Sequence, residues 1–307
     1  MLQALTGFVV VGAAILLGYV IGRTDLLGPH AKPVLARLTS FALSPVLLFV
    51  VLSQADVHSL FSALLPVSTI AALAMILGYA AIARFVWKRS VPDTLIGALS
   101  SGQVNANNIG IPLSVYLLGS AAYPAPVILM QLVLLTPISM AIFEATTGNR
   151  SSSVGRILLR TVTNPIVVGA ALGASAAALE LELPPIVMDP LELIAGACVP
   201  VLLISYGISL HGQRVLGTRG FRRDIVLASV LKLLVMPVVA WAAAVFLFHM
   251  PAQDVLVVVT LAAFPTAQNV FNYAQRFDVG EVIARDSVFL TTLGCVPVLF
   301  GITFLLG

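Results

Sequence analysis

The sequence has little charge. Asp, Glu, Lys and Arg make up 9% of the 307 residues and hydrophobic residues 59%, and the mean hydropathy is +1.06. Because a soluble domain carries far more charge than this, the composition excludes a sizeable soluble domain and predicts an all-α integral membrane protein. Ten apolar runs are long enough to cross a bilayer as helices of about 20 residues. They begin near Leu2, Leu35, Leu60, Leu95, Ala122, Ile157, Leu191, Ile225, Val255 and Val282.

The sequence also lacks the residue patterns of enzymes and metal sites. It contains no His-Glu-x-x-His, no phosphate-binding Gly-x-x-x-x-Gly-Lys-Ser/Thr and no Gly-x-Ser-x-Gly. Its two cysteines, Cys198 and Cys295, lie in separate apolar runs, which favours a packing role. We therefore expect no enzymatic activity, no cofactor, no metal site and no nucleic-acid partner.

Carboxylates are missing from the centres of the predicted fourth, fifth, ninth and tenth helices. Glu144, Glu281 and Asp286 lie only near the helix ends. A sodium/proton antiporter would need an ionisable carboxylate deep in the membrane, so that mechanism is disfavoured. Coupling by Na⁺ or H⁺ stays open, since a substrate carboxylate or Lys232 could carry a proton.

Basic residues are confined to every second loop. Fifteen of the 16 Lys and Arg residues flank the odd-numbered loops, whereas the even-numbered loops and both termini carry none. The positive-inside rule then places the odd-numbered loops in the cytoplasm. We expect a multi-pass protein of the inner (cell) membrane with both termini extracytoplasmic.

Weak internal similarities indicate a duplication. Five helices per half mean that a duplicated second half has inverted topology, and we expect repeats at 1–148 (helices one to five) and 149–307 (helices six to ten). The matches occur in the same order, at offsets of 157, 155, 153 and 160 residues. They pair Val10–Ala14 with Val167–Ala171, Pro45–Leu48 with Pro200–Leu203, Pro112 with Pro265, and Pro137 with Pro297.

Amides and a proline interrupt the fourth predicted helix. Gln103, Asn105, Asn107 and Asn108 would leave polar atoms unpaired in lipid, and Pro112 removes a backbone donor. Irregular backbone at membrane depth persists only inside protein or beside a watery cavity. We expect a broken helix, interrupted near Asn108, that lines a binding site.

The ninth predicted helix carries a similar interruption, with Pro265 beside Gln268 and Asn269. Corresponding broken helices in inverted halves indicate a transporter site. If their second halves begin at Pro112 and Pro265, two positive helix ends point at one spot and favour an anion, while carbonyl ends suit a cation. The alternative is that these amides only cap kinked helices or join neighbouring helices.

Lys232 is the only charge deep within a predicted helix. It could reach the cytoplasmic interface with its long side chain. It could instead face the cavity as a counter-charge for a carboxylate, or replace a coupling cation. Both interpretations stay open at this stage.

The sequence resembles a known family over essentially the whole chain, and the most specific motifs include the two interruptions. N-A-N-N-I-G-I-P-L at Asn105–Leu113, R-T-V-T-N-P at Arg160–Pro165 and A-A-F-P-T-A-Q-N onward from Ala262 resemble the auxin efflux carrier family, in the bile acid, arsenite and riboflavin transporter superfamily. The resemblance implies ten helices in two inverted repeats, crossover helices four and nine, and elevator-type transport of organic anions. By position, Asn105, Gly110 and Pro112 match the fourth-helix motif, and Pro265 matches the ninth-helix break.

The substrate implied by the resemblance is auxin in plants, and malonate or malate in bacteria. The plant members have a long hydrophilic loop between helices five and six, where this chain has only Gly148–Gly155, so an auxin-specific role is in doubt. A passive anion channel is the alternative. Gly169 and Gly173 form a G-x-x-x-G that fits close packing within the chain or a homodimer interface.

Overall fold

The computed structural model describes residues 2–28, 30–56, 64–147, 155, 159, 162–181, 183–210 and 219–306. Most of the segment 148–155, Arg160 of the R-T-V-T-N-P motif, and the predicted repeat boundary lie outside the described residues. Within the described ranges the regular elements are helices, and the only β-type pairing is one isolated bridge. The all-α expectation therefore holds for this part of the chain.

The helices follow one another with short connections. The helices before residue 150 are α1 (Leu2–Thr24), α2 (Ala31–Leu38), α3 (Ser44–Ser53), α4 (Leu65–Ala81), α5 (Val91–Gly102), α6 (Ile111–Leu118), α7 (Ala125–Met130) and α8 (Thr136–Thr147). Those after it are α9 (Pro165–Ala178), α10 (Pro185–Leu210), α11 (Arg222–Val230), α12 (Met236–Ala242), α13 (Ala252–Ala263), α14 (Gln268–Phe277) and α15 (Glu281–Leu306).

Six helical stretches in the described residues are long and apolar enough to cross a membrane. They are Pro33–Ser53, Leu65–Val86, Ala125–Thr147, Pro185–Ser209, Arg222–Leu247 and Glu281–Leu306. Shorter apolar helices cover Val9–Thr24, Pro165–Ala178 and Ala252–Ala263. Large apolar side chains such as Leu77 and Phe85 are exposed on these helices, as lipid contact requires. The prediction of a multi-pass membrane protein is thus confirmed.

Wide π-helical turns continue several of these helices, and four of them end two residues before a proline. These turns are Thr39–Leu43, Ala106–Gly110, Gln131–Leu135 and Leu231–Val235, and the prolines are Pro45, Pro112, Pro137 and Pro237. A proline ring clashes with the carbonyl four residues earlier in an α-helix. The wider turn, with bonds such as Thr136 N–H to Gln131 O, accommodates the ring and lets the helix continue.

The chain forms two units, and each draws on both halves of the sequence. Unit 1 comprises Met1–Ser62, Asn107–Leu129 and Leu159–Gln213. Unit 2 comprises Ala63–Ala106, Met130–Leu158 and Arg214–Gly307. These units differ from the predicted repeats 1–148 and 149–307, which describe sequence ancestry and stay a prediction.

Unit 1 packs through close helix contacts at glycines. A Cβ atom on Gly169 would meet the backbone of Pro45, and one on Gly173 would lie 2.5 Å from the carbonyl oxygen of Phe49. Helix α9 can therefore approach α3 this closely only with glycine at both positions. Of the two interpretations of the G-x-x-x-G, the structure supports packing within the chain.

Unit 2 contains an ion pair between the half-buried Arg89 and the buried Asp224, near the starts of α5 and α11. Asp224 is fully buried and accepts hydrogen bonds from Arg89 Nε at 3.1 Å and Nη2 at 2.5 Å, and from the Tyr79 hydroxyl at 3.1 Å. The hydrogen bond to Asp224 raises the pKa of the Arg89 guanidinium above its usual value. Arg89 therefore stays charged and joins the segment that precedes α5 to the first turn of α11.

Candidate functional site

The first interrupted helix breaks earlier than the sequence predicted. Helix α5 ends at Gly102, Gln103 is extended with ψ of 134°, and the helical chain resumes at Ala106. The expected break near Asn108 and the expected restart at Pro112 are therefore wrong. Pro112 lies in the first turn of α6, directly after the wide turn Ala106–Gly110, which accommodates its ring.

The second interruption follows α13 and contains Pro265 within it. Phe264 is extended with ψ of 151°, and α14 begins at Gln268 rather than at Pro265 as predicted. A residue before proline is driven out of the helical region by the proline ring. Pro265 therefore ends the preceding helix here instead of starting the next one.

The two interruptions are hydrogen-bonded to each other within unit 2. Val104 and Thr266 form an antiparallel bridge. The Asn105 N–H donates to the Pro265 carbonyl at 2.8 Å, and the Ala267 N–H donates to the Gln103 carbonyl at 3.0 Å. Each extended segment thus supplies partners for the other, as buried backbone requires.

Gln131 holds the first extended segment from the side. Its Oε1 accepts from the Val104 N–H at 2.5 Å, and its Nε2 donates to the Val104 carbonyl at 3.0 Å. One amide side chain thereby satisfies both backbone groups of Val104, as a neighbouring strand would. Gln131 was not among the predicted site residues, although a single glutamine in the apolar run of α7 and α8 was a usable signal.

Two hydroxyls hold the second extended segment. The Thr266 hydroxyl donates to the Ser100 carbonyl at 2.6 Å, and the Thr266 N–H donates to Thr291 Oγ1 at 3.0 Å. Ser100 lies in the last turn of α5, where carbonyls lack helical partners. Thr266 and Thr291 were also missed, because threonines are common in membrane helices and carry no distinctive spacing.

Lys232 reaches the same region from the turn before α12. It is fully buried, and its Nζ donates to the Ala262 carbonyl at 2.6 Å and to the Met236 sulfur at 3.1 Å. Its ammonium therefore lies inside unit 2, and the interpretation that it reaches the interface is wrong. Ala262 is the next-to-last residue of α13.

The remaining predicted site residues fall into both units. In unit 2, Asn105 is 4% exposed, Gln268 is half-buried and Asn269 is exposed at the start of α14. In unit 1, Asn108 accepts a hydrogen bond from Asn107 Nδ2 at 3.1 Å, and Gly110 and Pro112 are buried. Unit 2 thus brings together Asn105, Pro265, Gln268, Asn269 and Lys232, whereas Asn108, Gly110 and Pro112 belong to unit 1.

Gln103 adds a polar group that was predicted to interrupt the helix but was not among the predicted substrate-binding residues. The residue is 2% exposed, and in the described part of the chain its Nε2 is buried without a hydrogen-bond partner. Leaving a buried donor unpaired is costly. A buried amide donor at the interruption is suited to binding a ligand oxygen.

The two interruptions also correspond in sequence, at a different offset from the predicted one. The same 161 positions separate Val91 from Ala252 and Gly102 from Ala263, the ends of α5 and α13. At this offset Ala106-Asn107-Asn108 aligns with Ala267-Gln268-Asn269, and Val104, not Pro112, aligns with Pro265. The first helical chain therefore resumes at Ala106 and the second at Gln268 with Ala267 as its N-cap, so the same alanine–amide–amide pattern marks both restarts.

Comparison with known proteins gives matches over nearly the whole chain. The profile of a family described as "Membrane transport protein" matches residues 4–303. A protein of Rhizobium meliloti (strain 1021) named "Putative malonate transporter" is 25% identical over 302 residues, which cover 95% of this chain and 92% of the relative. The similarity is therefore not confined to the interruptions.

Proposed function

This chain belongs to the membrane transport protein family, and we propose that it is a secondary active transporter that carries a small organic anion across the membrane. The family match confirms the resemblance to the auxin efflux carriers and the interpretation as a transporter rather than an enzyme. The partners of such a protein are the lipid bilayer and the anion. The paired interruptions are the observation that carries the proposed binding site.

The chemistry around the interruptions favours an anion. Helix α14 starts at Gln268, two residues after the bridge residue Thr266, and its N-cap residue Ala267 makes no side-chain cap bond, which suits its positive end to a negative charge. The Gln103 amide donor and the Lys232 ammonium belong to the same region. Donors and one positive charge around irregular backbone suit a carboxylate better than a cation.

We propose Asn105, Pro265, Gln268, Asn269 and Lys232 as the residues of unit 2 that bind the substrate. Asn105 follows the bridge, and the hydrogen bond from its N–H to Pro265 fixes the backbone from which its side chain projects. Asn108, Gly110 and Pro112 are proposed on the strength of the sequence motif. At the 161-residue offset these three residues align with residues 269, 271 and 273. The alignment of Asn108 with Asn269 supports equivalent sequence positions for these two amides.

The substrate class we propose is a mono- or dicarboxylate. The Rhizobium relative carries malonate in its name, and malonate is small and doubly charged. One buried lysine and several amide donors could compensate and hydrogen-bond such an anion. Malate and the auxin indole-3-acetate are the other acids to compare.

The proposed transport mechanism is elevator-type alternating access by ten helices in two inverted repeats. Its support is the division into two units that each take segments from both sequence halves, together with the equal lengths of α5 and α13. In this arrangement helices four and nine are the crossover helices. The basic loops would face the cytoplasm and both termini the outside of the inner membrane. The proposal requires no homodimer, because all residues named lie in one chain.

Uptake of labelled malonate, malate and indole-3-acetate into proteoliposomes tests the proposal. Asn105→Ala removes the amide and keeps the backbone bond to Pro265, so we expect saturable uptake of one acid to be lost in this variant. Gln253→Ala, an exposed amide at the start of α13, is the matched control and should transport normally. Uptake that never saturates would indicate a channel, and absence of uptake for every acid would contradict the anion assignment.

A further inference from the structure

Lys232 is a buried basic residue that has no acidic partner among the residues that the structure describes. It lies in the membrane-spanning stretch Arg222–Leu247 and is fully buried. The ion pairs of the described residues join Arg89 with Asp224, Arg276 with Glu144 and Arg285 with Asp286, and none includes Lys232. Burying an ammonium is expensive unless its charge is compensated. The charged form of Lys232 therefore requires compensation by something other than a carboxylate of the described residues.

The ammonium lies at the carbonyl end of α13. In a continuous helix the Ala262 carbonyl would accept from the N–H of residue 266. The Thr266 N–H instead donates to Thr291 Oγ1, which leaves Ala262 O to Lys232 Nζ at 2.6 Å. A helix carbonyl end attracts cations, so this is the position where a carrier with broken helices can hold a metal ion.

At the other interruption, a carbonyl at the end of a helix is satisfied by a neutral donor. The Ser100 carbonyl, in the last turn of α5, accepts from the neutral hydroxyl of Thr266 at 2.6 Å. A hydroxyl is thus sufficient to satisfy a carbonyl at this depth. Hydrogen bonding alone does not account for a lysine at Ala262, and its positive charge needs a separate explanation.

We propose that Lys232 is the resident cation of the transport site. Its ammonium takes the place of a coupling sodium ion at the carbonyl end of α13. This inference rests on the proposed function, because the substrate anion supplies the compensating negative charge. The carrier then binds its anion without sodium. Lys232 acts as a positioning charge for the substrate and as the residue that determines ion coupling.

Binding of labelled malonate to the purified full-length protein in nanodiscs tests this inference, in sodium chloride and in choline chloride. Lys232→Gln keeps a donor for Ala262 and removes the charge, whereas Lys232→Met removes both at similar length. Lys88→Met, an exposed lysine outside the proposed site, is the matched control. Melting temperatures of all four proteins separate loss of binding from loss of folding.

We expect the wild-type protein to bind malonate equally in both salts. Both Lys232 variants should lose affinity by about tenfold or more, as removal of a buried charge partner does, and Lys88→Met should not. A wild-type affinity that falls in choline would overturn the inference and leave the proposed function standing. So would a Lys232→Gln variant with wild-type affinity.

Two further outcomes are also decisive. If both Lys232 variants fail to fold, the salt comparison on the wild-type protein still decides whether sodium is needed. If the wild-type protein binds no malonate, malate or indole-3-acetate in either salt, the proposed function fails, and the resident-cation inference fails with it.

Discussion

The backbone N–H of Asn105 donates a hydrogen bond of 2.8 Å to the carbonyl oxygen of Pro265. This bond joins two extended segments that are far apart in the sequence and each interrupt a helix. Pro265 lacks an N–H and forces Phe264 into an extended conformation. The pairing therefore satisfies backbone groups that would otherwise be unpaired in an apolar environment.

Replacement of Gln131 by Leu should destabilise unit 2. The substitution leaves the buried Val104 N–H without its partner, which costs about 1–3 kcal/mol and should lower the unfolding temperature of the detergent-purified protein. Gln131→Glu keeps an acceptor for that N–H and should be milder. Gln253→Leu, on the exposed start of α13, serves as the control. Equal melting temperatures for Gln131→Leu and the wild type would contradict the role of this side chain.

Replacement of Arg89 by Gln should also lower stability, because it removes the positive charge that compensates Asp224. It leaves the Asp224 carboxylate, 1% exposed in its side chain, buried without its cation, at a cost of about 3 kcal/mol. Adding Asp224→Asn to this variant should recover part of the loss, since the neutral amide needs no counter-charge. The exposed residue Lys88, changed to Gln, provides the reference. If the double variant melts below Arg89→Gln, the ion pair is not the source of the effect.

Replacement of Gly169 by Ala should loosen the packing of α9 on α3. The new methyl group would meet the Pro45 backbone, and such overpacking costs about 1–3 kcal/mol. Gly196→Ala, where the added Cβ would meet nothing within 4 Å beyond the local backbone of its own helix, should melt at or above the wild-type temperature. Light scattering measured beside the melting curve separates packing from association. A change in oligomeric state with unchanged melting would assign the glycines to a homodimer interface instead.

The broken helices were predictable from the sequence, but the residues at which they break were not. Amides and prolines in apolar runs are incompatible with lipid-facing helix, and this identified both stretches. The position of the first break was predicted wrongly from Pro112, because the wide turn before this proline accommodates its ring. Pro265, which has no such turn before it, ends its helix.

The partners of the broken helices depend on tertiary contacts that no local pattern records. Gln131 lies 27 residues from Val104, and Lys232 lies 30 residues from Ala262. The isolated lysine was recognised as unusual in the sequence, yet its partner became known only from the structure. The multi-pass helical character followed directly from composition, whereas the orientation of the helices in the membrane stays a prediction.

The wide turns before Pro45, Pro112, Pro137 and Pro237 have a consequence for how the helix faces are arranged. Each turn contains one residue more than an α-helical turn, so the side chains after it are rotated by about 100° from a continuous α-helix. The helical faces before and after each turn are therefore not aligned with each other as they would be in a continuous α-helix. Deletion of one residue from such a turn would rotate the whole following helix by more than a quarter of a revolution, while its apolar composition would hardly change.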